Sequence, residues 1–363
     1  MEGAILKKIL IICGTRPEII KLFPIITCLK VRGITPIVVF TGQHMSLAIQ
    51  MLETFDIKPD HVLSVLVGEQ SLNQLHARLM KKLDLVFIAE KPDLVIVQGD
   101  TASAVTGALS AFYHRVPVAH VEAGLRSDNL AQPFPEELNR RVISQIATYN
   151  FCPTKANQMN LGQENVLGEK IVTGNTGIDT LLVMKNRMSK IRQKKQIYVT
   201  LHRRENFGKP MENIFDAMDI FLQLCPDFRF LFAVHPNPQV KEVVRARWKG
   251  RNTKVWLTHP LNYLDNIRAI KQSYFILTDS GGIQEEAPYL QRPVLVARET
   301  TERPEVLWSG LGKLVGTSTE GVLQGLYDLA EDVGMYRKMV SRSPKLFGKG
   351  HAAEKICDYL LKL

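Results

Sequence analysis

Short apolar runs alternate with longer amphipathic stretches along most of the 363 residues. The runs are rich in Val, Ile and Leu and are continuous, as is typical of parallel strands that helices cover on both faces. Because parallel strands need crossover connections, which are almost always right-handed, the pattern predicts doubly wound α/β sheets. The predicted strands are 8–13, 36–41, 93–98, 117–122, 148–153, 170–174, 196–201, 228–235, 253–258, 273–278 and 293–297.

The series of predicted strands is interrupted once, between residues 176 and 195, where a helical stretch leads into a basic segment. Eleven strands are also many for one open sheet. The pattern therefore predicts an α/β protein of two Rossmann-like, doubly wound parallel-sheet domains that face a cleft. We expect an N-terminal domain at 1–178, a C-terminal domain at 179–349, and a final helix, 350–363, that packs back on the first domain.

Hydropathy argues against a membrane protein, because no apolar run approaches the roughly 18 residues that a spanning helix needs. The apolar run after Lys7 and Lys8 is short, lacks a small-residue cleavage site and leads directly into GTRP. It therefore favours a first core strand over a signal sequence. We expect a cytoplasmic protein.

The formal net charge of +10 indicates an anionic partner without saying which kind. The densest basic run, 185–195, contains no aromatic residue on which a base could stack, which disfavours nucleic acid. The five cysteines are scattered with no C-x-x-C pair, so we expect buried free thiols and no metal cluster or disulfide framework.

In doubly wound sheets, ligands bind outside the carboxyl ends of the strands, so polar residues that follow each strand are the site candidates. The stretch TDSGGIQEEAP, 278–288, joins a predicted strand to a helix through two glycines. Free backbone amides and the helix dipole make such a turn an anion-binding site. After the first strand, GTRPEIIK offers Arg16 and Lys21 as cations for a phosphate.

Three carboxylates follow strands or begin helices in the first predicted domain: Asp100 in QGDT, Glu122 in HVEAG and Glu136 in PFPEEL. Each alone could be structural; Asp100 or Thr101, for instance, could cap a helix. Together they favour general acid–base chemistry.

Three histidines follow predicted strands: His44, His202 and His235. A histidine at such a position can donate to a phosphate or transfer a proton, although a buried structural histidine is the alternative. The charged neighbours of His202, in LHRRE, disfavour burial. The sequence has no G-x-G-x-x-G turn after the first strand, P-loop, G-x-S-x-G elbow or H-E-x-x-H motif, so nicotinamide, metal and acyl-enzyme mechanisms lack support.

With these residues identified, the chain resembles the non-hydrolysing UDP-N-acetylglucosamine 2-epimerases. The matching stretches are GTRPEIIK, TGQH, VQGDT, HVEAGLRS, PFPEELNR, LHRRENFG, HPNP, TDSGGIQEEAP and ETTERPE, in family order. The resemblance implies a GT-B-like pair of domains, a homodimer, and no metal or nicotinamide cofactor. It also implies reversible inversion at C2 between UDP-GlcNAc and UDP-ManNAc for cell-surface polysaccharide precursors. In the family, loss of the C2 proton and of UDP gives 2-acetamidoglucal, to which UDP then re-adds.

The resemblance also implies residue roles. The catalytic residues would be Asp100, Glu122, Glu136 and His202, with the base and the acid among the carboxylates left open. The substrate-binding residues would be Arg16, Lys21, Ser280, Gly281, Gly282, Glu286 and Arg303. An activator pocket for a second UDP-GlcNAc would contain Gln43, His44, Arg203 and His235. Near that pocket, Met45 and Ser46 stand where activator-binding relatives usually carry polar or charged side chains.

Four other readings compete with this one. A sister epimerase could act on another UDP-2-acetamido sugar, such as a uronic acid, but retention of GTRPE, HRREN and ERPE favours UDP-GlcNAc. A hydrolysing 2-epimerase would release free ManNAc and usually departs from HVEAGLRS. A GT-B glycosyltransferase does not call for the three carboxylates, and a nucleic-acid-binding module would need aromatic platforms.

Overall fold

A computed structural model describes residues 8–43, 45–68, 70–235, 237–250, 254–341 and 345–363. His44, one of the predicted activator-pocket residues, lies outside the described residues. The chain divides into two compact units: Met1–Leu182 with Phe347–Leu363, and Val183–Leu346.

The first unit contains a parallel sheet of seven strands in the order β3-β2-β1-β4-β5-β6-β7 within the described residues. The strands are β1 (Ile9–Cys13), β2 (Ile37–Phe40), β3 (His61–Val62), β4 (Leu94–Gln98), β5 (Val118–Val121), β6 (Tyr149–Cys152) and β7 (Glu169–Val172). Its helices are α1 (Arg16–Val31), α2 (Ser46–Thr54), α3 (Leu72–Glu90), α4 (Ala102–Tyr113), α5 (Glu136–Ile146), α6 (Lys155–Gln163) and α7 (Thr176–Asn186), the last of which runs past the end of the unit at Leu182.

The central strands of this sheet are apolar because helices cover both of their faces. All residues of β1 and β4 are buried, and β1 pairs in parallel with both β2 and β4. Because β1 and β4 are neighbours although 80 residues of chain separate Cys13 from Leu94, the loops that follow them meet at one edge. That edge is where the predicted site residues of this unit lie.

The C-terminal segment also belongs to the first unit, as α15 (Ala352–Leu360), which packs against α1. Arg32, after α1, forms an ion pair with Asp358, and the Cys357 thiol lies 3.9 Å from the Ile25 carbonyl. Asp179 of α7 accepts from the Ala353 amide at 2.7 Å. These contacts hold the last helix against the start of the chain.

The second unit contains a parallel sheet of six strands in the order β10-β9-β8-β11-β12-β13 within the described residues. The strands are β8 (Gln196–Thr200), β9 (Arg229–Ala233), β10 (Val255–Thr258), β11 (Phe275–Thr278), β12 (Val294–Val296) and β13 (Gly312–Leu314). A short 3₁₀ helix, Arg204–Asn206, precedes α8 (Lys209–Leu224), and the other helices are α9 (Pro238–Trp248), α10 (Tyr263–Gln272), α11 (Gly281–Tyr289), α12 (Pro304–Trp308), α13 (Thr319–Glu331) and α14 (Val333–Ser341).

All eleven predicted strands are confirmed, as is the prediction of two parallel α/β sheets. The sequence pattern missed β3 and β13, which are two and three residues long and too short to produce a recognisable apolar run. Thr101, and not Asp100, caps α4, through a hydrogen bond from the Ala104 amide to its hydroxyl at 3.0 Å. In the described part of the chain, no helix is long and apolar enough to cross a membrane.

Candidate active site

The first unit brings together the loops that follow β1, β4 and β5, three neighbouring strands of its sheet. Glu122 follows β5, and both of its carboxylate oxygens have a donor. Lys21 of α1 forms an ion pair with one oxygen, and the Gln98 amide donates to the other. Lys21 and Glu122 are both nearly buried, and Glu122 takes a left-handed backbone conformation with a φ of 69°. The predicted cation and the predicted carboxylate are therefore direct partners.

Asp100 follows β4 and is oriented by α5. Arg140 donates to the Oδ2 atom of Asp100, and Asn139 donates to its backbone carbonyl at 2.8 Å. Arg140 is buried and also lies 3.4 Å from a carboxylate oxygen of Glu137. Within the described residues, Oδ1 of Asp100 has no hydrogen-bond partner, and the side chain is about a quarter exposed. One oxygen is thus fixed while the other remains available to a ligand.

Glu136 is the first residue of α5 and is half-buried. An ionic network holds this end of the helix. Arg141 donates to Glu137 at 2.9 Å and to Glu164 at 2.6 Å, and Glu164 also accepts two hydrogen bonds from Arg126 at 2.7 Å each. Hydrogen bonds from Arg126 hold the pKa of Glu164 below its usual range, although burial opposes this shift. The predicted third carboxylate therefore starts a helix that is firmly anchored.

Glu18, which the sequence analysis did not single out, is fully buried in the first turn of α1. Its carboxylate accepts from the amides of Gly14 at 3.0 Å and Thr15 at 2.7 Å, and from the Thr101 hydroxyl at 2.8 Å. Burial raises the pKa of Glu18 to about 7, with the hydrogen bonds from Thr101, Thr15 and Gly14 acting in the opposite direction. Arg16, the next residue after Thr15, is partly exposed.

Gln43, a predicted activator-pocket residue, is engaged within the first unit. Its side-chain oxygen accepts from the Ser103 amide at 3.0 Å and from the Ser103 hydroxyl at 2.8 Å. The Thr41 and Ser103 hydroxyls are 2.7 Å apart. A Cβ on Gly14 would lie 2.1 Å from the Thr41 hydroxyl, so only glycine fits there. Gln43 therefore helps to join the loop after β2 to the start of α4.

In the second unit, Asp279 organises the loop that follows β8. It is fully buried, and its carboxylate accepts from the amide of His202 at 2.9 and 3.1 Å and from that of Arg203 at 2.9 Å. The Asn206 side-chain amide adds a bond at 3.0 Å. The carboxylate thus fixes the backbone that carries His202.

His202 is about a third exposed, and its Nδ1 lies 3.5 Å from Asp279. Burial lowers the pKa of His202, the charges of Arg203 and Arg298 lower it further, and Asp279 opposes them. The ring contacts that of His235 edge-on, with centroids 5.7 Å apart. A neutral imidazole held this way can donate one hydrogen bond, and a bound anion would raise its pKa.

Three arginines and three glutamates form a charged cluster beside this loop, and all of them except Arg203 and Glu205 are buried. Arg203, Arg298 and Arg303 all face Glu302, at 3.7, 2.6 and 3.6 Å. Burial alone would raise the pKa of Glu302, but the three guanidinium groups hold it well below its usual range. The remaining partners are Glu205, which pairs with Arg298 at 2.8 Å, and Glu285, which pairs with Arg303 at 2.9 Å. Because the charges balance, this cluster by itself supplies little net positive potential.

The TDSGG turn places Ser280 at the N-cap of α11, with Gly281 and Gly282 in the first turn. A Cβ on Gly281 would lie 2.7 Å from Cζ of Arg303, whereas a Cβ on Gly282 would meet nothing within 4 Å. Gly281 therefore admits the guanidinium, and Gly282 borders open space. Further along the helix, Glu286 accepts from the Tyr263 hydroxyl at 3.0 Å.

Within the ranges that the structure describes, no group of three or more His, Cys, Asp or Glu side chains is arranged to hold a metal ion.

Comparison with known proteins decides the family. The sequence model of the UDP-N-acetylglucosamine 2-epimerase family matches residues 27–361. The chain belongs to this family. The Bacillus subtilis UDP-N-acetylglucosamine 2-epimerase is 42% identical over 362 residues, which cover 98% of this chain and 95% of that protein.

Solved structures of relatives agree with this assignment. The Neisseria meningitidis UDP-GlcNAc 2-epimerase, solved with UDP-GlcNAc, is 39% identical with a TM-score of 0.92, and the match covers 98% of this chain and all of that one. An S. aureus protein solved with UDP is 41% identical with a TM-score of 0.91, covering 98% and 96%. The predicted GT-B-like fold class and the family resemblance are confirmed.

Several site residues escaped the sequence analysis: Glu18, Gln98, Arg140, Asp279 and Glu302. All five lie within the quoted motifs, in which neighbouring residues were the predicted site residues. A signal for Glu18 was available, because threonine followed three residues later by glutamate is a capping box. Gln98, Arg140 and Asp279 pair with residues at least 24 positions away, so local patterns could not reveal those contacts. Glu302 pairs with Arg298, four residues earlier, but its contact with Arg203 spans 99 positions.

Proposed function

We propose that this protein interconverts UDP-GlcNAc and UDP-ManNAc without releasing the free sugar. The observation that carries the proposal is the pair of oriented carboxylates at neighbouring strand ends, Asp100 on Arg140 and Glu122 on Lys21 and Gln98. Family membership and the UDP-GlcNAc bound by the Neisseria meningitidis relative support the substrate.

The reaction that we propose begins with removal of the C2 proton by one carboxylate. No carbonyl adjoins C2, so departure of UDP from C1 must assist the loss of the proton. The elimination gives 2-acetamidoglucal and UDP, and re-addition of UDP with a proton delivered to the opposite face of C2 completes the inversion. Asp100, Glu122 and Glu136 are the candidates for the two proton transfers. The product would serve as a precursor for cell-surface polysaccharide.

The second unit would bind UDP. The amides of Gly281 and Gly282 at the start of α11 suit the diphosphate, since helix N-termini favour anions. Glu286, more than one turn further along, would accept from the ribose hydroxyls. His202 would donate to the diphosphate, and the charge that arrives there would raise its lowered pKa and so favour proton donation to the leaving UDP.

The remaining predicted binding residues stay proposals of the same kind. Arg16, Lys21 and Ser280 would contact the substrate, while Arg303 lies in the charge-balanced cluster and would shape the wall of the UDP site. Gln43, Arg203 and His235, together with His44, would contact a second UDP-GlcNAc that acts as activator. Initial rates with UDP-ManNAc as substrate, measured with and without added UDP-GlcNAc, test that activation.

The experiment that tests the reaction is incubation of UDP-GlcNAc with the purified protein in D2O, followed by proton NMR. We expect a mixture with UDP-ManNAc and deuterium at C2 of both. Asp100→Asn should abolish most of the turnover, and Asp56→Asn, an exposed aspartate with a left-handed backbone that asparagine tolerates, is the matched control. Free ManNAc as the main product, or epimer without deuterium, would sink the proposal.

We further propose that the protein is a homodimer. Four large apolar side chains on α3 and α4 support this, because they are more than half exposed: Leu85, Ile88, Phe112 and Tyr113. These two helices pack against each other, so the side chains can contribute to one surface. Light scattering should give twice the mass of one chain, and Ile88→Glu should lower it; a monomeric wild type would contradict the proposal.

A further inference from the structure

Glu18 contacts two loops that are far apart in the sequence. Through Oε2 it accepts from the Gly14 and Thr15 amides, which belong to the loop after β1. Through Oε1 it accepts from the hydroxyl of Thr101, which is 83 residues away and caps α4 after β4. One buried carboxylate therefore connects the ends of two neighbouring strands.

The two loops carry residues of the proposed site. Arg16 directly follows Thr15, and Asp100 directly precedes Thr101. We propose that Glu18 is a positioning residue that couples the loop after β1 to the loop after β4 and thereby sets Asp100 relative to Arg16. The coupling rests on the hydrogen bonds of Glu18 alone, whereas its importance for turnover rests on the proposed function.

A simple helix cap would not require the contact with Thr101. The capping box of α3 offers a comparison, because its Gln74 makes the two local hydrogen bonds with Ser71, three residues before it, and has no side-chain bond to a second helix among the described residues. Glu18 makes the same kind of local contacts and adds the bond to a second helix. The two capping boxes therefore differ in the long-range bond between the Thr101 hydroxyl and Glu18.

Two charged groups near Glu18, Lys21 and Asp100, are paired with other residues, so hydrogen bonds are the contacts that hold its carboxyl group. The Cys13 thiol of β1 interacts with it electrostatically, and burial beside Glu18 raises the pKa of that thiol. Lys21, one turn along α1, is paired with Glu122. From the β4 side, Asp100 is paired with Arg140.

Glutamine can replace Glu18 with the same contacts. A protonated carboxyl group or an amide keeps one oxygen for the two backbone amides and donates from its other end to the Thr101 hydroxyl. That hydroxyl has two acceptor lone pairs and uses one for the Ala104 amide. Glu18→Gln should therefore preserve the coupling, whereas Glu18→Ala removes it.

Hydrogen–deuterium exchange on the full-length protein tests the coupling without reference to activity. Glu18→Ala should accelerate exchange about tenfold in peptides that cover 13–18 and also in those that cover 99–104, because the buried hydrogen bonds that join the two loops are lost. Glu18→Gln should restore most of the protection, and Gln74→Ala should affect only the start of α3. If exchange at 99–104 is unchanged in Glu18→Ala, the coupling is refuted and Glu18 is a local cap.

A second variant covers the case in which Glu18→Ala does not fold. Thr101→Val removes the bond from the other side, so it should accelerate exchange at 13–18; unchanged exchange there would overturn the inference. For turnover, Glu18→Ala should lower kcat about 100-fold with a smaller change in KM, since misplacing a site by about an ångström has that effect. If the wild type does not interconvert the two UDP-sugars, the proposed function fails. If the wild type is active and Glu18→Ala matches it, the positioning role fails.

Discussion

Adjacent glycines at the start of α11 allow a matched pair of substitutions, Gly281→Ala and Gly282→Ala. Both add one methyl group to the first turn of the same helix, and neither glycine has a positive φ. Their surroundings differ, because a methyl on Gly281 would lie 2.7 Å from Cζ and 2.8 Å from Nη1 of Arg303. A methyl on Gly282 would meet nothing within 4 Å.

The size of the effect follows from these distances. Ordinary contact begins at 3.4 Å, so the Arg303 guanidinium must move by about 0.7 Å from the new methyl on Gly281. A movement of that size is enough to break the 2.9 Å bond from Arg303 to Glu285, which is buried. Losing a charge-assisted hydrogen bond costs about 1.5–3 kcal/mol. Any gain in helix propensity, up to about 1 kcal/mol, is common to both variants and cancels in the comparison.

We therefore expect Gly281→Ala to be less stable than Gly282→Ala by about 2 kcal/mol. Thermal unfolding should show a Tm lower by about 4–8 °C in Gly281→Ala, and urea denaturation should give the free energy directly. Adding Arg303→Met to each variant should remove most of the difference, because the group that the methyl displaces is then absent. Equal stability of the two single variants would refute the reasoning.

Three further predictions concern buried charges. Asp279→Asn should destabilise the protein by about 2–4 kcal/mol in urea denaturation, because an amide group then faces backbone donors. The same substitution should lower the pKa of His202 further in an NMR titration, because the carboxylate that opposes the lowering is gone. An unchanged titration of His202 would count against the electrostatic contact between the two residues. Burial raises the pKa of Glu18 to about 7 in the folded protein, above its unfolded value of 4.5. The contribution of Glu18 to the free energy of unfolding is therefore fully present below pH 4.5 and is lost as the pH rises through 7. Glu18→Gln should thus stabilise the protein more at pH 8 than at pH 5, by up to about 3 kcal/mol, and a pH-independent effect would contradict the raised pKa. Arg140→Met should lower kcat about 10- to 100-fold with a smaller change in KM in the NMR assay, since Asp100 loses its orientation; wild-type turnover would remove Arg140 from the site.

The sequence alone determined most of the fold. Continuous apolar runs of five to eight residues identify buried parallel strands, and every strand of four or five residues falls within a predicted run or overlaps one. The interruption between 176 and 195 indicated two sheets. The rule that ligands bind beyond strand ends then located Asp100, Glu122 and His202, because position relative to a strand is a local property.

Only the tertiary structure decided how these residues are paired. Lys21 and Glu122 are 101 residues apart, and Asp100 and Arg140 are 40 apart. Their contacts depend on β4 lying beside β1, an order that strand periodicity does not encode. For the same reason the sequence could name Glu18 only as a possible cap, since its burial and its bond to Thr101, after the neighbouring strand β4, exist only once the sheet has formed.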